Sequence, residues 1–398
     1  MEVTRTIRLK INAPPKTFLP TIQAYTKAYN FVCQTAWNND KSTDGVFLHH
    51  QTYKTVREYL SADLAISARV KATESVKSVK KLQVKENARA KRKGREPKIY
   101  RCPRSKQMSI RYNDKTFSIW FDKNKLSLQT IDGRLKFPID LPKYYQQYII
   151  WKRCSAELIV RENKVFLNIV FSKSVTDPVS NGKFIGIDRG VKRIAVTSDK
   201  RFFGGGHVKQ VARRYQRLRS VLQSKGHSGK RHLVKIKNKE NRFRRDINHC
   251  IAKQIVSTLK PGTTIVLEDL TNINKNTVKR FKKTDTINRS RQRDRMSWSF
   301  YQLELFLSYK SFDRGCLIEF VKAANTSRRC SECGHISADS RQCQSVFRCV
   351  SCGYQVNADL NASFNIVHKH LKAICYSDEG LINTPNGSVA ANAPGCFG

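Results

Sequence analysis

The sequence predicts a chain of the α/β plus β class. A β unit carries inserted helices, and an α/β unit follows with a small cysteine-rich insertion near its end. Three observations lead there. Hairpin-like alternating segments crowd into residues 108–172. From Phe184 onward, short apolar strands alternate with long amphipathic helices. Four cysteines at C-x2-C-x15-C-x2-C spacing then interrupt that second pattern. A length of 398 residues agrees with two or three domains of roughly 150 residues each.

In chain order, residues 2–11 alternate from Val3 to Ile11 and read as a strand ended by Pro14-Pro15. From Leu19 to Trp37, Ile22, Tyr25, Tyr29, Val32, Cys33 and Ala36 recur at helical spacing. One further helical stretch is expected over about 51–91. The chain grows steadily more basic there, and Arg69 to Lys106 holds fifteen Lys/Arg against three Glu. Residues 108–172 alternate again, with Asn113-Asp114, Asp122-Lys123-Asn124 and Asp132-Gly133 as turns. The opening strand can belong to this β unit, which makes the helices an insertion.

Asp177 to Gly182 reads as a linker. The run Phe184–Asp188 is a strand ending in a glycine turn, and Ile194-Ala195-Val196 returns beside it. Two basic helices are expected next, broken at Gly226–Gly229. Lys209 to Arg245 carries fourteen Lys/Arg and one Glu. Thr263–Leu267 is a short buried strand ending at Glu268-Asp269. A third basic stretch runs from Lys275 to Arg295, followed by a helix Trp298–Lys310, a strand Leu317–Val321, the cysteines, and a helix from Asp359. From about Ser377 the composition predicts a disordered tail.

The chain has 75 Lys+Arg and 31 Asp+Glu, a net charge of +44. A net charge of about 2–8 suffices to keep a small domain soluble. The excess implies a polyanionic partner, and nucleic acid fits best because duplex DNA carries one charge per ~1.7 Å. The N-terminus lacks an apolar signal region, and no stretch approaches the ~18 apolar residues that cross a bilayer. These features predict a cytoplasmic protein with no membrane partner. They exclude a membrane channel, a secreted enzyme and a small metabolic enzyme of ordinary charge.

Cys330, Cys333, Cys349 and Cys352 can point two pairs of thiolates at one ion, and Gly334 and Gly353 follow each pair where the chain must turn sharply. This is the pattern of a structural zinc ribbon holding one Zn²⁺. Cys343 and His335 are candidate extra ligands, read as bystanders because four thiolates already complete a structural zinc shell.

Three acids sit at telling places. Asp188 ends one apolar strand, Glu268 ends another, and Asp359 opens a helix. Singly, they read equally well as a turn former, an exposed strand end and an N-cap. Together, in this order around the cysteine module, they fit a phosphodiester-hydrolysing site in which carboxylates hold two Mg²⁺ ions.

These segments carry a family likeness. GIDRG with Asp188, VLEDL with Glu268, and TSRRCSECG…FRCVSCGYQVNADLNASFNI with Asp359 resemble TnpB, the transposon-encoded RNA-guided DNA endonuclease family related to the compact type V CRISPR effectors. The likeness runs from about Phe184 to His370, with weaker motifs before the linker, notably GREPKIYR at Gly94–Arg101.

The resemblance implies a RuvC-like RNase H fold nuclease domain at 182–325 and 357–376, with the zinc ribbon inserted at 326–356 as a target nucleic-acid-binding element. It implies a wedge-type β-barrel at 1–15 and 95–178, carrying a helical recognition bundle at 16–94, and leaves 377–398 as the tail. It makes Asp188, Glu268 and Asp359 the catalytic Mg²⁺ ligands. Implied partners are an omega-type or CRISPR-type guide RNA and double-stranded target DNA, bound by a monomeric ribonucleoprotein. Arg69, Lys71, Lys77 and Lys80 are expected at the short duplex motif beside the target. Arg213, Arg214, Arg217, Arg328 and Arg329 are further candidates for nucleic-acid contact. Two other readings stay open: an RNA-guided DNA-binding protein without cleavage, and a guide-independent RuvC-class junction nuclease.

Overall fold

The structure, a computed structural model, describes residues 2–39, 44–271, 299–343 and 345–382, with the side chains of the last helix described through Cys375. The chain divides between Thr176 and Asp177 into two compact units.

The first unit opens with β1 (Glu2–Ile11), whose alternate residues Val3, Ile7, Leu9 and Ile11 are buried. Three helices follow: α1 (Leu19–Trp37), α2 (Gly45–Arg57) and α3 (Ala62–Lys91). The single helix expected over 51–91 is thus two. Asp44 starts α2 by accepting hydrogen bonds from the Val46 and Phe47 amides at 2.8 and 3.2 Å. The chain breaks before α3, with Ser61 extended at its N-cap. The strands β2 (Ile110–Tyr112), β3 (Phe117–Trp120), β4 (Lys125–Thr130), β5 (Gly133–Pro138), β6 (Lys152–Arg161) and β7 (Lys164–Ser174) complete the unit. They form two antiparallel sheets, ordered β1-β7-β6-β2 and β3-β4-β5. β1 pairs with β7 along its whole length, from Glu2↔Ser174 to Ile11↔Val165, so the first strand lies against the last. An Ile11↔Ile139 bridge joins the sheets. Ile7, Leu9, Leu126, Leu158 and Phe171 share one core with Tyr25, Val32, Leu64 and Ala68 of the helices.

The second unit contains β8 (Phe184–Asp188), β9 (Arg193–Thr197) and β10 (Phe202–Gly204), then α4 (Gly206–Ser224), α5 (Gly226–Ile236) and α6 (Lys239–Ser257). The break expected at Gly226–Gly229 ends α4 at Ser224, with Gly226 at φ +54°, but the same segment opens α5, so three helices stand where two were expected. Next come β11 (Thr264–Asp269), α7 (Phe300–Asp313), β12 (Leu317–Lys322), the short strands β13 (Val346–Arg348) and β14 (Gln355–Asn357), and α8 (Ala358–Ile382). The main sheet is ordered β10-β9-β8-β11-β12. β11 runs parallel to both β8 and β12, and β9 runs antiparallel to its neighbours.

Both faces of this sheet are covered, which is why its central strands read as continuous apolar runs. Ile185, Ile187, Ile265 and Leu267 pack with Ile251 and Ile255 of α6 and Leu303 and Leu307 of α7. On the other face Phe184, Val266 and Val321 meet Ile366 of α8. His249 belongs to the α6–α7 interface, stacked on Phe306 at 3.7 Å and hydrogen-bonded through Nδ1 to Tyr309 Oη at 3.1 Å.

Two expectations near the ends of elements change. α8 continues to Ile382, so the tail does not begin at Ser377, and residues 383–398 lie outside the described residues. The basic stretch Lys275–Arg295 and Trp298 also lie outside them. No described helix is long and apolar enough to cross a membrane.

Candidate active site and metal centre

The strand register brings two of the three acids side by side. β8 and β11 pair in parallel with Ile187 beside Leu267, so Asp188 and Glu268, each one residue further, leave the same end of the sheet on the same face. That face is the one covered by α8. Gly186, two residues before Asp188, packs directly against the Ser363 carbonyl and Val367 of α8, with no space for a β-carbon. This close approach carries the N-terminus of α8, and with it Asp359, to the sheet end. The helix is capped by Asn357, whose Oδ1 accepts the Asp359 and Leu360 amides at 3.1 and 3.3 Å. Asp359 is therefore not the cap, and its carboxylate is left for other work.

Asp188 feels the charge of both other carboxyl groups. Burial, with the charges of Glu268 and Asp359 acting in the same direction, pushes Asp188 up from 3.8 to about 8 against the pull of Arg341 and Arg189. Glu268 and Asp359 are also held above their ordinary ranges, chiefly by burial. Glu268 is only 8% exposed, and the Thr326 hydroxyl donates a hydrogen bond to its Oε1. Asp359 meets Arg341 at 3.4 Å and Arg193 at 4.0 Å. Oxygen-only donors whose burial and mutual repulsion are incompletely compensated suit a hard divalent cation.

Sequence reasoning missed the basic residues around this cluster. Arg189, inside GIDRG, has a side chain that is 0% exposed. It donates to the Glu268 main-chain oxygen at 2.5 Å and to Glu304 Oε2 of α7 at 2.7 Å, tying β8, β11 and α7 together. Arg341 and Thr326 come from the cysteine-rich insertion, and no local pattern links either to an acid 18 or 58 residues away.

The four cysteines form a candidate metal centre. The Sγ atoms of Cys330, Cys333, Cys349 and Cys352 all lie within 4.8 Å of one another. The Cys330–Cys352 and Cys333–Cys349 separations are 3.8 and 3.5 Å, close to the ~3.8 Å edge of a tetrahedron with ~2.3 Å metal–sulfur bonds. The two turns are alike. Gly334 and Gly353 sit at φ +75° and +74°, and their amides donate to the Cys330 and Cys349 carbonyls. Backbone amides lower the Cys349 thiol to about 6, favouring the thiolate. Cys343 is exposed beside Ser345 and stands apart, as does His335. Asn361 and Asn365 moor this module to α8. Asn361 accepts the Ser331 amide at 3.1 Å, and both donate to the Arg329 carbonyl, at 2.7 and 2.6 Å.

The basic candidates divide. Arg213, Arg214, Arg217, Arg328 and Lys77 are exposed, and Arg329 is half-buried. Lys80 lies over the Trp37 ring at 5.7 Å, and Arg69 donates to the Gly45 carbonyl at 2.5 Å. Lys71 is corrected. It is 7% exposed, with its ammonium bound to Glu157 at 2.5 Å and to Ser109 Oγ at 2.7 Å, so it belongs to the core between α3 and the β unit. Lys71 falls on the buried stripe of Leu64, Ala65, Ala68, Ala72 and Val76, and that periodicity is the signal that places it inside.

Comparison with known proteins gives this geometry a context. A family model described as "Probable transposase" (OrfB_IS605) matches residues 166–294, and one described as "Cas12f1-like, TNB domain" matches residues 300–366. A CRISPR-associated endodeoxyribonuclease Cas12f1 of Sulfoacidibacillus thermotolerans is 32% identical over 235 residues, covering 54% of this chain and 52% of that protein. A Cas12f1 of Syntrophomonas palmitatica is 29% identical, covering 56% of this chain and 45% of that protein. The chain thus spans about half the length of these two relatives. The TnpB-like protein MJ0751 of Methanocaldococcus jannaschii is 27% identical over 68% of this chain and 97% of its own. Among solved structures, a Cas12f1–sgRNA–target DNA complex matches with a TM-score of 0.61 at 14% identity, covering 92% of this chain and 98% of that one. CasPhi-2 (Cas12j) bound to crRNA and phosphorothioate DNA matches with a TM-score of 0.54 at 10% identity, covering 92% and 91%. The resemblance to TnpB and the compact type V effectors read from the motifs is borne out, and the fold is that of these effectors.

Proposed function

We propose that this chain, kin to the TnpB-like and Cas12f1 proteins, is an RNA-guided DNA endonuclease. In this reading the second unit is a RuvC-like nuclease of RNase H fold, and the first is a wedge-type barrel with its recognition helices. The observation that carries the proposal is the convergence of Asp188, Glu268 and Asp359, from two parallel strands and one helix start, at one sheet end. Kinship with endodeoxyribonucleases and the +44 charge support the substrate class.

The residues present fit divalent metal. Three carboxylates held above their usual range describe a deficit of positive charge, and an all-oxygen donor set favours Mg²⁺. Asp188, Glu268 and Asp359 would hold the ions, which would supply an activated water and stabilise the leaving oxygen. The chain's own groups prepare that site. Arg189 fixes the backbone at Glu268, and Thr326 engages one oxygen of its carboxylate. Arg341 and Arg193 orient Asp359 and bring positive charge to where a phosphodiester would lie. The cysteine centre would hold one Zn²⁺ as a closed structural site.

Base pairing by an omega-type or CRISPR-type guide reads the target in such a system, while the protein holds the heteroduplex and reads a short duplex motif. The working particle is a monomeric ribonucleoprotein of the prokaryotic cytoplasm. The test is to purify the chain, sequence the RNA that copurifies, and add duplex DNA matching its spacer with Mg²⁺. Cleavage abolished by Asp188→Ala is expected. Guide-dependent binding without cleavage would establish the non-cleaving reading instead, and cleavage of junctions without RNA would establish the guide-independent nuclease.

A further inference from the structure

Next to the carboxylate cluster, the second unit contains a cavity of about 220 Å³ whose lining includes Thr326, Arg329, Asn365, Lys369 and Lys372 and no acidic residue. Thr326 belongs to both places, since its hydroxyl engages Glu268. Lys369 is close enough for its charge to act on Glu268, and its ammonium is anchored to the Lys322 and Ala324 carbonyls at 2.7 and 3.0 Å. An ammonium has three donors, so one remains. The Arg329 guanidinium packs over Gly334, where a β-carbon would meet it. It makes no ion pair among the described residues. Asn365 supplies a second, independent sign of a ligand. It is 1% exposed, its amide nitrogen is committed to the Thr326 and Arg329 carbonyls, and its Oδ1 has no hydrogen-bond partner. A buried acceptor left unpaired costs free energy unless something fills the place.

We infer that this cavity is a nucleotide subsite, in which Arg329, Lys369 and Lys372 grip a backbone phosphate flanking the scissile one and Asn365 accepts from the donor edge of the adjoining nucleotide or from a water it carries. The inference rests on the nuclease reading and adds to it a positioning site outside the carboxylates. Three cations and no acid in the lining favour an anionic group, and the shared Thr326 puts it beside Glu268. Bound there, the strand would be held on the insertion side of the sheet end, in line with the carboxylates.

The test uses the protein–RNA complex and single-stranded target oligodeoxynucleotides in which one phosphate at a time is replaced by a neutral methylphosphonate. Wild type should slow by about tenfold when a linkage neighbouring the scissile one is neutral, as expected for losing charge-assisted hydrogen bonds. A R329Q/K372Q variant should be slow on the native strand and indifferent to the same replacement. Equal, additive losses in both proteins would overturn the proposal. A second readout does not need cleavage. In an Asp188→Asn background, the salt slope for binding a fluorescein-labelled single strand should fall by about 0.7 for each phosphate contact removed. An unchanged slope would overturn the subsite even if wild type cuts DNA. A reduced slope with no cleavage by wild type would leave the subsite standing and remove the nuclease reading. Zinc content in the variant checks that the turn beside Arg329 is intact.

Discussion

Gly186 of β8 lies directly beneath the Ser363 carbonyl of α8, and that single contact sets how closely the helix bearing Asp359 approaches the strand bearing Asp188. A β-carbon at 186 must displace backbone, not a flexible side-chain end. Gly186→Ala should therefore cost about 1–3 kcal/mol or more, as overpacking does, lowering the melting temperature by several degrees. Cleavage should fall further than stability alone explains, because the acids are pushed apart. A variant with wild-type activity and melting temperature would show that the helix position does not govern the site.

The acid cluster makes a pH prediction with a definite sign. Asp188 has an ordinary value of 3.8 and stands near 8 in the fold, so the folded state holds a proton that the unfolded state releases between those values. Metal-free protein should thus lose stability as pH rises from about 4 to 8. Thermal scans without Mg²⁺ should show the melting temperature falling across this window. Asp188→Asn should flatten the fall while reducing cleavage by about 10³-fold or more. Added Mg²⁺ should stabilise wild type most at the alkaline end, where the carboxylates are ionised. A melting temperature independent of pH and Mg²⁺ would contradict the arrangement.

The cysteine centre should hold about one zinc per chain. Asn361 and Asn365, two and six residues after Asp359, connect its first turn to α8, so the centre supports the acids at one remove. Chelation should lower both melting temperature and cleavage, with recovery on adding Zn²⁺ but not Mg²⁺. Cys349→Ser should behave like the chelated protein. Full activity after zinc loss would make the module independent of the acid site.

Much of this site was legible because its signals are local. Two acids end apolar strands, the third follows a cysteine pair at fixed spacing, and each turn glycine sits directly after a CxxC. The fold of the second unit was legible for a similar reason, since a sheet covered on both faces leaves uninterrupted apolar strands. What stayed hidden depends on residues far apart in sequence. Arg189 looks like a surface arginine in a turn until Glu304, 115 residues later, is brought against it. Arg341 and Thr326 act on Asp359 and Glu268 through folding alone. The boundary between α2 and α3 was lost because the helical periodicity resumes after only four residues, with Asp63 and Leu64 continuing an amphipathic pattern.

Lys71 and Lys77 separate charge used for folding from charge left for nucleic acid. They are six residues apart on α3, but Lys71 bonds Glu157 and Ser109 while Lys77 faces solvent. Lys71→Ala should destabilise the first unit by about 1–3 kcal/mol, the cost of leaving a charged hydrogen-bond partner unpaired. Lys77→Ala should leave the melting temperature unchanged within about 0.5 kcal/mol and weaken nucleic-acid binding in a salt-dependent way. Equal effects of both on stability would place Lys77 in the core as well.

The Arg189–Glu304 pair gives the sharpest separation of stability from function. Arg189 is fully enclosed and serves two partners, the Glu304 carboxylate and the Glu268 main-chain oxygen. Breaking a buried pair by removing one member costs about 3–5 kcal/mol, because the other charge is left without compensation. Glu304 keeps some exposure, at 20%, so Arg189→Leu should fall toward the lower end of that range. Replacing both members with leucine removes the stranded charge and should recover most of the stability, as apolar replacement of buried pairs does. It cannot restore the hydrogen bond to the Glu268 backbone. The double variant should therefore melt near wild type yet remain deficient in cleavage, with the defect in turnover and not in DNA affinity. Conservative Arg189→Lys, with one point charge in place of a two-armed guanidinium, should recover only part of the turnover. If the double variant regains both stability and turnover, Arg189 serves only to join the helix to the sheet and does not position Glu268.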